Sequence, residues 1–213
     1  MEVQKHGVVF EDEVIFQITG KRKAEYEKLL PGAYTSSLDI AKGIQSDYNY
    51  SIKVCKDGKT IGCGDLLRFY RHCRDTEFII VVGCWQQVDP TTKRYYLIYE
   101  FTVTSDDFNK FWGDIKEEHL VPFVEWVKSI PEGKDAQLSN RKCWKQKRRE
   151  TYQHGRGLVS IDAKIDSKTQ RRVQCSVKLA ELIKNGIPHI KYTTDYKGIK
   201  LPYEQISAPR TFS

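Results

Sequence analysis

The chain has 213 residues, of which 39% are hydrophobic and 30% charged, with a formal net charge of +7. That balance supplies enough apolar material for one sizeable core and excludes a disordered or fibrous polymer. Its longest apolar run, Phe78 to Cys84, is too short to cross a bilayer. The opening MEVQKHGVVFEDEV has no basic start leading into a long apolar segment, so no secretory leader is expected. Six cysteines without a Cys-x-x-Cys pair predict reduced thiols in a cytoplasmic protein rather than disulfide staples or a zinc site.

In chain order, KRKAEYEKLL (residues 21–30) predicts a helix stopped by Pro31-Gly32. Strands are expected at Leu38–Ala41, at Asn49–Cys55 and, after an Asp57-Gly58 hairpin turn, at Thr60–Cys63. DLLRFYRHC then reads as a short helix with Leu66, Leu67, Phe69, Tyr70 and Cys73 inward. EFIIVVGCW, residues 77–85, has the near-continuous apolar character of a central strand covered on both faces, and 94–104 is rich in strand formers. Ser105-Asp106-Asp107 starts a helix, and Leu120, Phe123, Val124 and Val127 fall at i, i+3, i+4 and i+7 of the next one. A lysine-rich loop, a strand at 157–161, a helix at 175–185 and a closing hairpin over 192–201 complete the chain. The expected fold is α+β, a central mixed sheet flanked by helices. No repeat or linker interrupts it, which predicts one domain over 1–213.

The positive charge is concentrated. Residues 141–173 hold eleven Lys/Arg against three Asp/Glu, while the rest of the chain is close to neutral. A polyanion is the natural partner of such a field. Lys147, Arg148 and Arg149 are consecutive and read as phosphate clamps. KIDSKTQRRVQ intersperses Lys164, Lys168, Arg171 and Arg172 with Ser167, Gln170 and Gln174, the side chains suited to base edges in a major groove. A solvated basic face with no partner is the plainer alternative.

In SDYNYSIKVCKDGKTIGCGD, Lys53 stands within the alternation Tyr48, Tyr50, Ile52, Val54, with Asp39 before it and Asp65 after it. Period two puts Ser51 and Lys53 on one face and sends Ile52 into the core. Metal-assisted phosphodiester cleavage needs carboxylates for the ion and a cation beside the attacking water. A hairpin can bring Asp39, the Ile52 carbonyl and Lys53 to one place. The order Asp39, Ser51-Ile52-Lys53, Asp65 resembles the PD-(D/E)XK nucleases, above all the type II restriction endonucleases. It is most similar to the variant with serine at the first position of the second motif and a carboxylate supplied by the following helix.

The resemblance implies a restriction-endonuclease-like core in a Mg²⁺-dependent enzyme that cuts double-stranded DNA as a homodimer, leaving 5′-phosphate and 3′-hydroxyl ends. Asp39, Ser51, Lys53 and Asp65 would form its active site, and Asp39, Asp65 and the Ile52 carbonyl would hold the metal. Leucine rather than proline precedes Asp39, and Glu77, Glu25 and Asp47 compete with Asp65 as second carboxylate. A structure-selective nuclease and a non-catalytic DNA- or RNA-binding protein are the alternative expectations. On the plainest reading, Lys53 is a solvated lysine, Asp39 a turn residue and Asp65 a helix cap.

Overall fold

The first element is one the sequence leaves unassigned, helix α1 (Lys5–Thr19). Phe10, Val14 and Ile15 are buried along one stripe of it. The structure, a computed structural model, describes residues 5–30, 38–165 and 170–206. The helix expected over 21–30 is α2 (Lys23–Tyr26) followed by a 3-10 turn at Glu27–Leu29; its Pro31-Gly32 stop lies outside the described residues. Then come β1 (Tyr50–Lys56), β2 (Thr60–Asp65), α3 (Leu66–Asp75), β3 (Phe78–Gln87) and β4 (Thr92–Val103). They are followed by α4 (Phe108–Trp112), α5 (Glu117–Ser129), α6 (Lys134–Tyr152), β5 (Ser160–Ile165), β6 (Arg171–Lys178) and α7 (Leu179–Lys184). Four short strands end the described chain: β7 (His189–Tyr192), β8 (Asp195–Tyr196), β9 (Ile199–Lys200) and β10 (Tyr203–Ile206).

These elements form two compact units. One comprises Met1–Ile61, Glu77–Val103 and Gly186–Ser213; the other, Gly62–Thr76 and Thr104–Asn185. The boundaries fall inside β2 and at the ends of α3, β4 and α7. No linker marks them, which is why the sequence reads as one domain.

The first unit is built on a mixed sheet of order β1-β3-β4-β10, with β7 also paired to β4. β1 runs parallel to β3, and the other pairings are antiparallel. The expected mixed sheet is present. β3 is the apolar run, with Val81, Val82 and Cys84 fully buried. Gly83 in its middle lets α1 lie directly on the sheet: a Cβ there would stand 2.6 Å from the Phe10 ring. Phe10 in turn stacks on Tyr95 with centroids 4.8 Å apart. Tyr50 and Ile52 join Phe10 and Val14 in this core, and Val54 packs against it, as the alternation predicts. The closing hairpin is β8–β9, turning on Lys197 and Gly198 at positive φ. Beside it, buried Glu100 of β4 accepts from the Tyr192 and Tyr196 hydroxyls at 2.9 and 2.7 Å and pairs with Lys197 at 3.2 Å.

The second unit holds a three-stranded sheet, β2-β6-β5, together with α3 to α7. Its helices share an aromatic core in which Tyr70 meets Trp112 edge-on at 4.9 Å and Phe69 meets Phe111 at 6.0 Å. Three expectations change here. The Asp57-Gly58 turn forms, with both residues at positive φ, but it leads into β2, which pairs with β6; β1 pairs in parallel with β3. The lysine-rich segment expected as a loop is α6, because Lys, Arg, Gln and Glu are good helix formers even where they leave a helix no broad apolar face. The helix expected from Cys175 starts only at Leu179. Before it, Val173, Cys175 and Val177 alternate inward as a strand. No helix among the described residues is long and apolar enough to cross a membrane.

Candidate active site

The strand expected at Leu38–Ala41 is reduced to a single bridge, Ile40 to Tyr50. Asp39 and Ile40 donate their amides to the Tyr50 carbonyl at 2.8 and 3.2 Å, and the Tyr50 amide donates back to the Ile40 carbonyl at 2.8 Å. This fixes the Asp39 side chain alongside the outer edge of β1. An edge strand leaves backbone groups without a ladder partner, and Asp39 and Lys53 take both of those at Ile52. The Ile52 amide donates to Asp39 Oδ2 at 2.5 Å, and Lys53 Nζ donates to the Ile52 carbonyl at 3.0 Å. The ammonium completes the triangle by donating to Asp39 Oδ2 at 3.1 Å. The two side chains are only 20% and 23% exposed. The acid at 39 and the cation at 53 thus meet where the spacing predicts, with the Ile52 carbonyl between them.

A second acid stands close by, and it comes from α1. Gly7 lies against β1, with its Cβ position 3.5 Å from Val54, and Glu11 follows one helical turn later on the same face. Its carboxylate accepts from Lys23 Nζ at 2.7 Å. Burial, and after it the charge of Asp39, push the Glu11 carboxyl up from 4.5 to about 7, while Lys23 and Lys53 pull it down less strongly. Burial alone would lower Lys23, but the hydrogen bond and charge of Glu11 raise it, so Lys23 is firmly cationic. Two carboxylates and two ammonium groups thus influence one another at one edge of the sheet. Sequence reasoning missed Glu11 because it left α1 unassigned; the inward spacing of Phe10, Val14 and Ile15 was the available signal.

The remaining predicted residues are distributed as follows. Ser51 is buried at 5% exposure, on the sheet face opposite Ile52. Asp65 belongs to the second unit, where its exposed carboxylate caps α3 by accepting from the Arg68 amide at 3.0 Å. Glu77, Glu25 and Asp47 are all exposed. Among the described residues no group of three or more His, Cys, Asp or Glu side chains gathers as a metal cage. The donors at β1 are instead two carboxylates, Asp39 and Glu11, and one carbonyl. That set fits Mg²⁺, a hard ion that keeps several waters and commonly takes only one or two protein carboxylates.

The basic candidates divide sharply. Arg148 donates to the Ile161 carbonyl and to Asp162 Oδ1, both at 3.1 Å, and stacks on Trp144. Lys147 lies over the Trp126 ring at 5.2 Å. Arg171 donates to the Ile130 and Pro131 carbonyls at 2.8 and 2.6 Å and to its neighbour Gln170 at 2.8 Å. These three cations are largely committed within the fold. Arg149, Lys164, Gln170 and Arg172 are exposed, and Gln174 is half-buried. Ser167 and Lys168 lie outside the described residues. The histidines, scattered in sequence, include one stacked pair: His119 and His154, with ring centres 3.8 Å apart.

Comparison with protein-family models, with curated proteins and with solved structures gives no match for this chain.

Proposed function

We propose that this chain is a Mg²⁺-dependent endonuclease that hydrolyses phosphodiesters of double-stranded DNA at defined sequences, in the manner of a type II restriction enzyme. The observation that carries the reading is the Asp39–Ile52–Lys53 triangle at the edge of β1, with Glu11 beside it. Asp39, Glu11 and the Ile52 carbonyl would hold the ion. When bound, Mg²⁺ supplies positive charge against the scissile phosphate and makes nearby water more acidic.

The protein's own groups do the positioning. The backbone bridge at Ile40 fixes Asp39, and Asp39 with the Ile52 carbonyl fixes the Lys53 ammonium. From there Lys53 can orient an attacking water and offset charge that grows on the phosphate. Lys23 holds Glu11 in place from α2. In-line attack of water on phosphorus breaks the P–O3′ bond and leaves 5′-phosphate and 3′-hydroxyl ends. A homodimer follows if the recognised sites are palindromic, since a two-fold site calls for a two-fold protein.

The test is incubation of the purified chain with a long mixed-sequence duplex in Mg²⁺, with EDTA as control, read on a gel. Discrete fragments in Mg²⁺ alone are the expected result. A smear would point to cutting without sequence preference, and intact DNA would overturn the enzymatic reading.

A further inference from the structure

We infer that the outward face of the β5–β6 ribbon is the sequence-reading element, lying in the DNA major groove with Arg172 and Gln174 on base edges. This rests on the reading of the chain as a DNA enzyme and specifies how its substrate is chosen.

The ribbon is the antiparallel β6–β5 part of the three-stranded β2-β6-β5 sheet; in it Lys164 stands opposite Arg172, Asp162 opposite Gln174 and Ser160 opposite Ser176. Val173, Cys175 and Val177 of β6 turn inward and are nearly fully buried. Arg172, Gln174 and Ser176 must therefore share the other face. That face is polar throughout and, around the Lys164–Arg172 pair, cationic. Among its described residues the one acid, Asp162, is already matched by Arg148 at 3.1 Å. The charge complements a polyanion, and the mixture of Arg, Gln and Ser is what base edges require. Arg is suited to the guanine acceptors and Gln to the paired donor and acceptor of adenine.

Geometry agrees with chemistry. A B-DNA major groove takes about two strands at a time, and β5 and β6 present one shared face while β2 flanks β6 on its other side. Alternate residues on a strand are separated by about 6.8 Å, close to two base-pair steps of about 3.4 Å each. Arg172, Gln174 and Ser176 are thus spaced to meet bases two steps apart. The ribbon is also braced, as a reading element has to be. Arg171 ties the start of β6 to the end of α5 through the Ile130 and Pro131 carbonyls. On β5, the Ile161 amide donates to the Tyr152 hydroxyl at 2.8 Å and its carbonyl accepts from Arg148, so α6 closes that edge. Neighbours in sequence, Arg171 anchors and Arg172 reads.

The experiment is a binding selection from a randomised duplex pool in EDTA, where the full chain binds without cutting, followed by sequencing of the retained DNA. Wild type should enrich a defined motif. The double substitution Arg172→Ala with Gln174→Ala should lose preference at two or three base pairs of it, by about tenfold at each. Gln174→Glu keeps the size of the side chain but removes its donors. It should move one position from adenine towards cytosine, and it serves as the second probe if the double variant folds poorly. An unchanged motif in these variants, or no motif in wild type, overturns the ribbon assignment. The catalytic reading fails separately: its failure would be a motif recovered by binding from a pool that Mg²⁺ never causes to be cut.

Discussion

In the first unit Asp39 pairs with Lys53 and Glu11 with Lys23, the pairs influencing each other through their charges, and Glu100 is enclosed by two tyrosine hydroxyls and Lys197. In the second unit Lys164 and Arg172 face solvent on a ribbon whose acids are few. One region concentrates opposite charges until they perturb each other; the other presents like charges outwards. Groups of the first kind suit chemistry, where a perturbed proton affinity near neutral pH is useful. Groups of the second kind suit attraction and recognition of a polyanion, which salt screens. The contrast therefore predicts that substitutions at the β1 edge alter turnover while those on the ribbon alter binding.

The largest expected effect is at Lys53. Lys53→Ala removes the cation from the triangle and leaves Asp39 and the Ile52 carbonyl without it. Cleavage should fall by roughly 10²–10⁴-fold, the usual scale for a proton-positioning group, with DNA affinity in EDTA unchanged. Single-turnover cutting of a labelled duplex and filter binding of the same duplex measure the two sides. Loss of binding with cutting retained would reverse the roles assigned to the two regions.

Next is the pH dependence that Glu11 imposes. Its carboxyl is raised in the folded protein, from 4.5 to about 7. Between those values the folded state holds a proton that the unfolded state has released, so stability falls as pH rises through this window. A shift of that size corresponds to roughly 3 kcal/mol at most. Glu11→Gln should flatten the fall, leaving the variant more stable than wild type at pH 8 in EDTA and no less stable at pH 4. Urea denaturation at several pH values reads this. Mg²⁺ should restore stability to wild type at pH 8 but not to the variant, if Glu11 contributes to holding the ion.

How far the sequence could be read follows the same divide. Asp39 and Lys53 were legible because their meeting depends on local rules: alternation in β1 and a short return from the Ile40 bridge. Glu11 was not: the spacing of Phe10, Val14 and Ile15 marks a helix, but that this helix packs on Gly83 and so brings Glu11 to the site is a long-range contact that no local pattern encodes. The mixed sheet was foreseen from the apolar run at β3, whereas the partner of β2 was not, since a hairpin turn fixes direction but not which strand will pair. The charge of the basic stretch is legible in its composition, but its helix, α6, is not. Periodicity carries little signal in a helix such as α6, where charged and polar residues dominate. Charge by itself also says nothing about which cations the fold consumes.

Arg171 and Arg172 isolate that last point, because composition cannot distinguish them and the fold does. Arg171 donates to three backbone carbonyls, two of them at the end of α5. Arg171→Ala should leave those acceptors unmatched, at a cost of about 1–3 kcal/mol. For a chain of this size that lowers the melting temperature by roughly 2–4 °C per kcal/mol. Arg172 is exposed on the ribbon, so Arg172→Ala should change stability by less than about 0.5 kcal/mol. Its effect should appear instead in DNA binding, with weaker affinity and a shallower dependence on salt. Thermal melts and salt-titrated binding of the two variants side by side measure both. Equal melts with equal loss of binding would mean that the ribbon face and its anchor are one electrostatic patch, and the distinction between committed and presented cations would fail at the place where it is drawn most finely.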